Sequence, residues 1–279
     1  MNQSSRKTVV IQGGTDGIGR ELARALEARG DRAVVLGRDP ARGAEFAHFI
    51  PAELSLVAEN QRVVEELTAR FDTVDALVLC ARHYRTSRLV TKDGFEENFG
   101  LFYLSRLLLS HGLLPALERA PTPVILNVAG PGAPLDLVNW DDLQLAHGYE
   151  GQAAMFQAGV LNDLHGVDFA ARGHRTRYAL LHPGTTATGF SGDYDEATRA
   201  FVERMKRIAK PAELVAGWLL DLLDDPPAEP LSAFVEQRRI GVDGTSFDPA
   251  AAARLRDLTD RLLSPFRDPA GTEPQASAP

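Results

Sequence analysis

The chain has 279 residues, 44% of them hydrophobic, enough to build a sizeable core in one large domain or two small ones. A formal net charge of -8 argues against a general nucleic-acid binder, which needs clustered Lys and Arg to neutralise phosphates. The single cysteine, Cys80, rules out an internal disulfide framework, and no apolar run resembles a signal peptide or an ~18-residue membrane span, so a soluble cytoplasmic protein is expected.

Short apolar runs alternate with longer amphipathic ones, the pattern of βα units on a parallel sheet. The spacing predicts a strand at Thr8–Gln12, a helix at Ile18–Arg29 closed by Gly30, and a strand at Ala33–Leu36. A helix is predicted over Pro40–His48, with Pro40 suited to a first turn. Another covers Leu56–Phe71, followed by a β-rich run at Val74–Cys80, a polar loop at His83–Lys92 and one long apolar helix from Gly94 to Leu117. Val124–Val128 reads as a strand, Ala129–Glu150 as irregular, Gly151–Arg172 as a helix and Tyr178–Leu181 as a strand. The polar stretch Thr185–Asp195 has the composition of a mobile lid. Helices at Thr198–Ile208 and Pro211–Leu223, a strand at Ala233–Glu236 and a helix at Pro249–Leu263 complete the list, with 264–279 composed like a disordered tail. There is no internal repeat and no linker between two cores, so one domain over 1–263 is expected.

The first strand runs into QGGTDGIGR, which places Gly13, Gly17 and Gly19 where strand passes into helix, with Thr15, Asp16 and Ile18 among them. Glycines here serve a tight turn, close backbone approach to a pyrophosphate and close helix packing. The helix N-terminus adds free N–H groups and the positive end of its dipole. Together these predict a dinucleotide site on a Rossmann-type doubly wound parallel sheet. The second strand ends in Gly37-Arg38, where an arginine can pair with a 2′-phosphate, which favours NADP(H) over NAD(H); a solvated surface arginine is the alternative.

QGGTDGIGR, AELSL at Ala52–Leu56, the run TKDGFEENFGLFYLSRLLLSHGLLPAL, WDDLQLAHGYEG, HPGTTAT at His182–Thr188 and FDPAAAARLRDLTDRLL together resemble the short-chain dehydrogenase/reductase family, in particular its retinol dehydrogenase and WW-domain oxidoreductase branch. The resemblance implies that Glu53 replaces an adenine-contacting aspartate, with Leu54 beside it. It also implies that Ala81, Pro183 and Gly184 border the cofactor and that Thr188 holds the nicotinamide carboxamide. Members of the family use a tyrosine as acid, a lysine one turn on, a serine and an asparagine. Those positions here read Met155, Gly159, Gly130 and Phe102, with Ala158 at a neighbouring serine and Asn162 keeping the register. The motif after strand four reads Leu79-Cys80-Ala81-Arg82. Independently of that alignment, none of the five tyrosines has a lysine four residues on, and no lysine lies between Asp93 and Met205. Loss of a positioned acid typically costs ~10²–10⁴-fold and loss of an oxyanion donor ~10²–10³-fold.

The substitutions predict a roomier, more apolar pocket suited to an apolar small molecule, although drifted positions in a protein no longer doing chemistry would look the same. Arg82, His83 and Tyr84 are the candidate replacements: Arg82 to contact an anionic group or else to occupy the nicotinamide's own space, His83 and Tyr84 as proton donors, although a loop histidine in solvent is the more ordinary reading of His83. Cys80 reads as a core residue, Asn98 as a helix-cap or surface residue with reach into the site in the asparagine's stead as the alternative, and Leu101–Leu109 as core or a homodimer face. The histidines do not cluster at metal-ligand spacing, so no metal is expected. Three functions remain open: an NADP(H)-dependent oxidoreductase with an unusual proton donor, a non-redox cyclase, dehydratase or isomerase whose cofactor is structural or absent, and a pseudoenzyme that binds dinucleotide or a partner without turnover.

Overall fold

The computed structural model describes residues 6–188 and 192–267. In chain order the elements are β1 (Thr8–Gln12), α1 (Gly17–Ala28), β2 (Arg32–Gly37), α2 (Pro40–Gly43), β3 (His48–Pro51), α3 (Val57–Arg70), β4 (Ala76–Leu79), β5 (Tyr84–Arg85), α4 (Glu97–Phe99), a π-helical turn (Gly100–Leu104), α5 (Ser105–Gly112) and α6 (Leu114–Leu117). There follow β6 (Val124–Val128), α7 (Gly151–Ala171), β7 (Arg177–His182), β8 (Thr186–Ala187), β9 (Gly192–Asp193), α8 (Glu196–Lys206), β10 (Lys210–Pro211), α9 (Ala212–Asp224), β11 (Leu231–Val235), β12 (Arg238–Ile240) and α10 (Pro249–Leu263).

Eight strands form one sheet in the order β12-β11-β7-β6-β4-β1-β2-β3, parallel throughout except for the β11–β12 hairpin. Strands buried on both faces need apolar residues of either parity, which is why VVI, VVL, LVL and VIL read as continuous runs. Val9, Ile11 and Val35 face α1 and α9, while Val10, Val34 and Leu36 face α3, α5 and α7. Helix α10 forms an outer layer on α7, with Leu255 and Leu263 joining Leu104, Leu161 and Leu164 in one cluster. The result is a single α/β domain with a doubly wound, mostly parallel sheet.

Four expectations need correction. The helix expected over Pro40–His48 ends at Gly43, and His48–Pro51 is an edge strand beside β2. Gly43 lies so close to the Phe49 ring that no side chain fits between helix and strand. The proline closing β3 is tolerated because an edge strand can spare a ladder donor. The single helix from Gly94 to Leu117 is instead four segments. Gly94 has a φ of +82°, so the helix begins only after Glu96, whose carboxylate accepts from the Asn98 and Phe99 amides at 2.9 and 2.7 Å. Further on, Gly100 packs against the Ser55 carbonyl within the π turn, and Pro115 prevents the chain from continuing α5 without a break. The lid stretch is pinned on both sides, since β8 pairs with β10 and β9 with β5; its centre, 189–191, lies outside the described residues. Of the expected tail, Ser264–Phe266 form a 3₁₀ turn with Phe266 against Phe95, and 268–279 lie outside the described residues. The β11–β12 hairpin went unpredicted because RRI is polar and follows directly on the strand.

Leu255 is 1% exposed between α10 and α7. Its substitution by alanine should cost about 2–5 kcal/mol, read as a lower urea midpoint with unchanged slope.

Candidate active site

The glycine turn is held by contacts that leave no room for side chains. A Cβ on Gly13, whose φ is +79°, would lie 2.7 Å from the Ala81 backbone. One on Gly17, at φ +51°, would lie 2.7 Å from Thr188, and one on Gly19 2.5 Å from the Gly13 carbonyl. Gly37 approaches Thr15 in the same way, with its notional Cβ 2.7 Å from the threonine methyl. Asp16 caps α1, accepting from the Gly17 amide at 2.7 Å. Three distant stretches of chain, around Gly13, Ala81 and Thr188, thus meet at the carboxyl edge of the sheet, where β1 gives way to β4 and open α/β sheets bind ligands. Ile18 and Leu54 point into the core, so a nucleotide meets them only through their backbone.

On the β2 side, Arg38 is not a free surface arginine: it lies 3.4 Å from Glu53 and 3.7 Å from Glu97. Glu53 also accepts from the Ser55 hydroxyl at 2.8 Å. Sequence reasoning missed Arg42, which reaches Asp16 at 3.2 Å. Its four-residue spacing from Arg38 was the available signal, since both lie around the Asp39 cap of α2.

On the other side of the turn, the expected catalytic positions carry no acid. Phe102 is buried in the π turn, and its carbonyl accepts from Asn162 Nδ2 at 2.7 Å. Met155 is half-buried, and a Cβ built on Gly159 would meet nothing within 4 Å, leaving open the room a longer side chain would fill. Asn98 is neither a cap nor a surface residue; it is buried and donates to the Ala154 carbonyl of α7 at 2.9 Å. A Cβ on Gly130 would lie 3.7 Å from the His182 ring, so that imidazole edges the space beside it. His182 Nδ1 accepts from the Gly184 amide at 2.9 Å, which puts the ring proton on Nε2. Its pKa is lowered by burial and by Arg82 among neighbouring charges, so the ring is neutral at pH 7. Pro183 and Gly184 turn the chain here, Gly184 at φ +67° beside the Lys210–Glu236 ion pair.

Arg106 is the residue that sequence reasoning missed outright. A lone arginine in SRLLLS reads as helix surface, yet it is 0% exposed. Its guanidinium donates to the Ala81 and Val128 carbonyls at 2.9 Å each and to Asn127 Oδ1, and it stacks on the Phe102 ring at 4.3 Å. Burial lowers its pKa to about 9, so it stays charged at neutral pH.

In the loop after β4, Arg82 is exposed to the cleft yet hemmed in by protein, and burial lowers its pKa. Its charge is felt by Tyr194, His182 and Arg106. His83 is not a solvent histidine: its side chain is 11% exposed, with Nε2 3.7 Å from Asp193, because the β5–β9 pairing folds the loop inward. Tyr84 stacks on Tyr194 at 5.6 Å, and burial raises its pKa, which keeps the hydroxyl protonated. Arg85 is locked between Glu97 and Asp193. The Tyr103, Tyr149 and Tyr178 hydroxyls are engaged by Thr259, Glu96 and Asn127, none by a lysine. Burial pushes the Cys80 thiol up to about 12, which makes it a poor nucleophile. Among the described residues there is no His/Cys/Asp/Glu group fit for a metal and no helix long and apolar enough to cross a membrane.

A parallel sheet whose carboxyl edge carries a glycine cradle at the switch point defines the class of dinucleotide-fold proteins. Within that class, the family described as short chain dehydrogenase matches residues 7–136. Polyprenol dehydrogenase of Mus musculus is 29% identical over 65% of this chain and 60% of its own length. Human retinol dehydrogenase 13 is 27% identical over 65% and 60%. Human dehydrogenase/reductase SDR family member 12 is 23% identical over 94% and 87%. The chain therefore matches less than two thirds of the first two of these relatives. Among solved structures, the 3-alpha-hydroxysteroid dehydrogenase of Pseudomonas sp. complexed with NADH superposes with a TM-score of 0.63 at 20% identity, over 82% of this chain and 94% of that one. The NADPH-bound carbonyl reductase of chicken fatty liver gives 0.63 at 17% identity, over 85% and 98%.

Gly17→Ala should lower stability by about 1–2 kcal/mol, because it strains a left-handed residue and displaces Thr188; urea unfolding reads the loss. Asp163, buried on α7 and accepting from the Gly132 amide at 2.9 Å, has its pKa raised by burial. The folded state therefore binds a proton that the unfolded chain releases near pH 4, and stability falls as pH rises from there through the folded pKa. Asp163→Asn keeps the acceptor and removes the titration, so its stability relative to wild type should be higher at pH 8 than at pH 4, measured by paired urea titrations.

Proposed function

We propose that the chain binds NADP(H) across this cleft and acts as an oxidoreductase on an apolar small molecule, with Arg82 and His182 holding the substrate oxygen where members of the short-chain dehydrogenase/reductase family use tyrosine, lysine and serine. The observation that carries this reading is the cradle at Gly13, Gly17 and Gly19, closed by Ala81 and Thr188 so tightly that only glycine fits. Such a cradle suits a pyrophosphate and costs stability unless something uses it. When bound, the dinucleotide supplies hydride.

The chain's own residues would then act as follows. Amides at the start of α1 face the pyrophosphate, and Arg38 exchanges part of its pairing with Glu53 and Glu97 for a 2′-phosphate. Neutral His182 offers Nε2–H, and Arg82 a guanidinium, to the oxygen that gains negative charge as a carbonyl is reduced. Water in the open cleft then delivers the proton. Gly159, Ala158 and Met155 leave apolar room for the body of the substrate.

Calorimetry with NADPH and NADH tests the cofactor. NADPH should bind more tightly, and Arg38→Ala should cost it about 10–100-fold while sparing NADH, in keeping with loss of a charge-assisted pair. Oxidation of NADPH against a panel of apolar ketones and aldehydes tests the reaction. Binding without any turnover would make the chain a dinucleotide-binding protein instead, and conversion without change of oxidation state would make it a non-redox enzyme.

A further inference from the structure

The half of the cleft beyond the glycine turn carries two guanidinium groups, Arg82 and Arg106, with which no acid among the described residues forms an ion pair. Arg106 donates only to carbonyl and amide oxygens, and its Nε has no hydrogen-bond partner. Arg82 looks onto Tyr194, whose raised pKa keeps its hydroxyl neutral, and onto His182, whose lowered pKa keeps the ring neutral. The surrounding acids are committed elsewhere. Glu97 and Asp193 pair with Arg85, Glu236 with Lys210 and Glu53 with Arg38. Glu96 and Asp163 both have pKa values raised by burial, which weakens any negative charge they offer. The neighbouring imidazole of His83 has its pKa lowered by burial, which favours the neutral ring.

In an open parallel sheet the dinucleotide lies across the carboxyl edge with its pyrophosphate at the glycine turn. Arg38 marks the adenosine side, on β2. The nicotinamide half therefore lies over the ends of β4, β6 and β7, where Ala81 is bracketed by Arg82 in sequence and by the Arg106 guanidinium in space. The oxidised nicotinamide ring carries a positive charge and the reduced ring none. Ribose, pyrophosphate and 2′-phosphate are the same in both, so their contacts cancel when the two forms are compared.

We infer that the site discriminates between the redox states of its cofactor, holding the reduced dinucleotide more tightly than the oxidised one through the uncompensated charges of Arg82 and Arg106. This rests on the dinucleotide reading proposed above. Two like charges within several ångströms, in a cleft of intermediate polarity, correspond to a preference of about tenfold. The chain is thereby biased towards taking up reduced cofactor and releasing the oxidised form, the cycle of a reductase.

The test is a fluorescence and calorimetric titration of the full chain with NADPH and with NADP⁺, repeated on Arg82→Met and Arg82→Lys. Arg82→Lys keeps the charge and separates its effect from any effect on folding, which the urea midpoint of each variant reads, whereas Arg106 is fully buried and is left intact. The ratio of the NADP⁺ to the NADPH dissociation constant should be about ten in wild type and in Arg82→Lys, and several-fold smaller in Arg82→Met, mainly through tighter NADP⁺ binding. A ratio near one in wild type, or one that Arg82→Met leaves unchanged, overturns the inference while leaving the dinucleotide site standing. Failure of both cofactors to bind overturns the dinucleotide reading and this inference with it.

Discussion

The cleft takes its shape from one buried cation. The Arg106 guanidinium bridges the carboxyl ends of β4 and β6 by bonding the Ala81 and Val128 carbonyls, with Phe102 beneath it. Removing such a charge from water costs several kcal/mol, and each bond to a charged donor returns about 1.5–3 kcal/mol. The arrangement holds together because three oxygen acceptors and a ring face converge on it. Those same bonds hold Ala81 against Gly13, so the width of the nucleotide cradle and the placement of Arg82 both follow from them.

The polar network extends from there. Asn127, which accepts from Arg106, donates to Asn162 and to the Tyr178 hydroxyl, and Asn162 donates in turn to the Phe102 carbonyl. Within the π turn the Phe102 carbonyl and ring serve two different partners, Asn162 and Arg106. Of the positions where the resemblance leads one to expect catalytic residues, Phe102 instead joins this network through its carbonyl and its ring. Phe102 is therefore a working part of the structure, its ring seated against the Arg106 guanidinium.

Much of this was legible in the sequence because local patterns sufficed. Thr8–Gln12 and Pro249–Leu263 lie where periodicity and caps place them, and the glycine turn meets Ala81 and Thr188. What stayed hidden depends on tertiary contact. The HFIP strand is visible only once β2 offers an edge, and the break in the central helix only once Ser55 presses on Gly100. Burial of His83 follows from a pairing between residues more than a hundred positions apart, and burial of Arg106 from carbonyls on two other strands. A charged residue in an apolar run carries no local sign of which way it points.

The exchange of charges links these observations. A tyrosine and lysine at the expected positions would bring one cation, positioned to ease a proton onto the substrate. This chain instead places guanidinium groups at the ends of β4 and on α5, neither able to give up its proton at neutral pH. Such groups stabilise developing negative charge and repel positive charge, but they cannot act as acids. For the reduction proposed above, the chemistry would be electrostatic: an oxygen stabilised by fixed donors, with water as the source of protons. A deep, closed pocket would defeat that scheme by excluding the water it needs, whereas the space left at Gly159 and the exposure of Arg82 and His182 keep the cleft open to it.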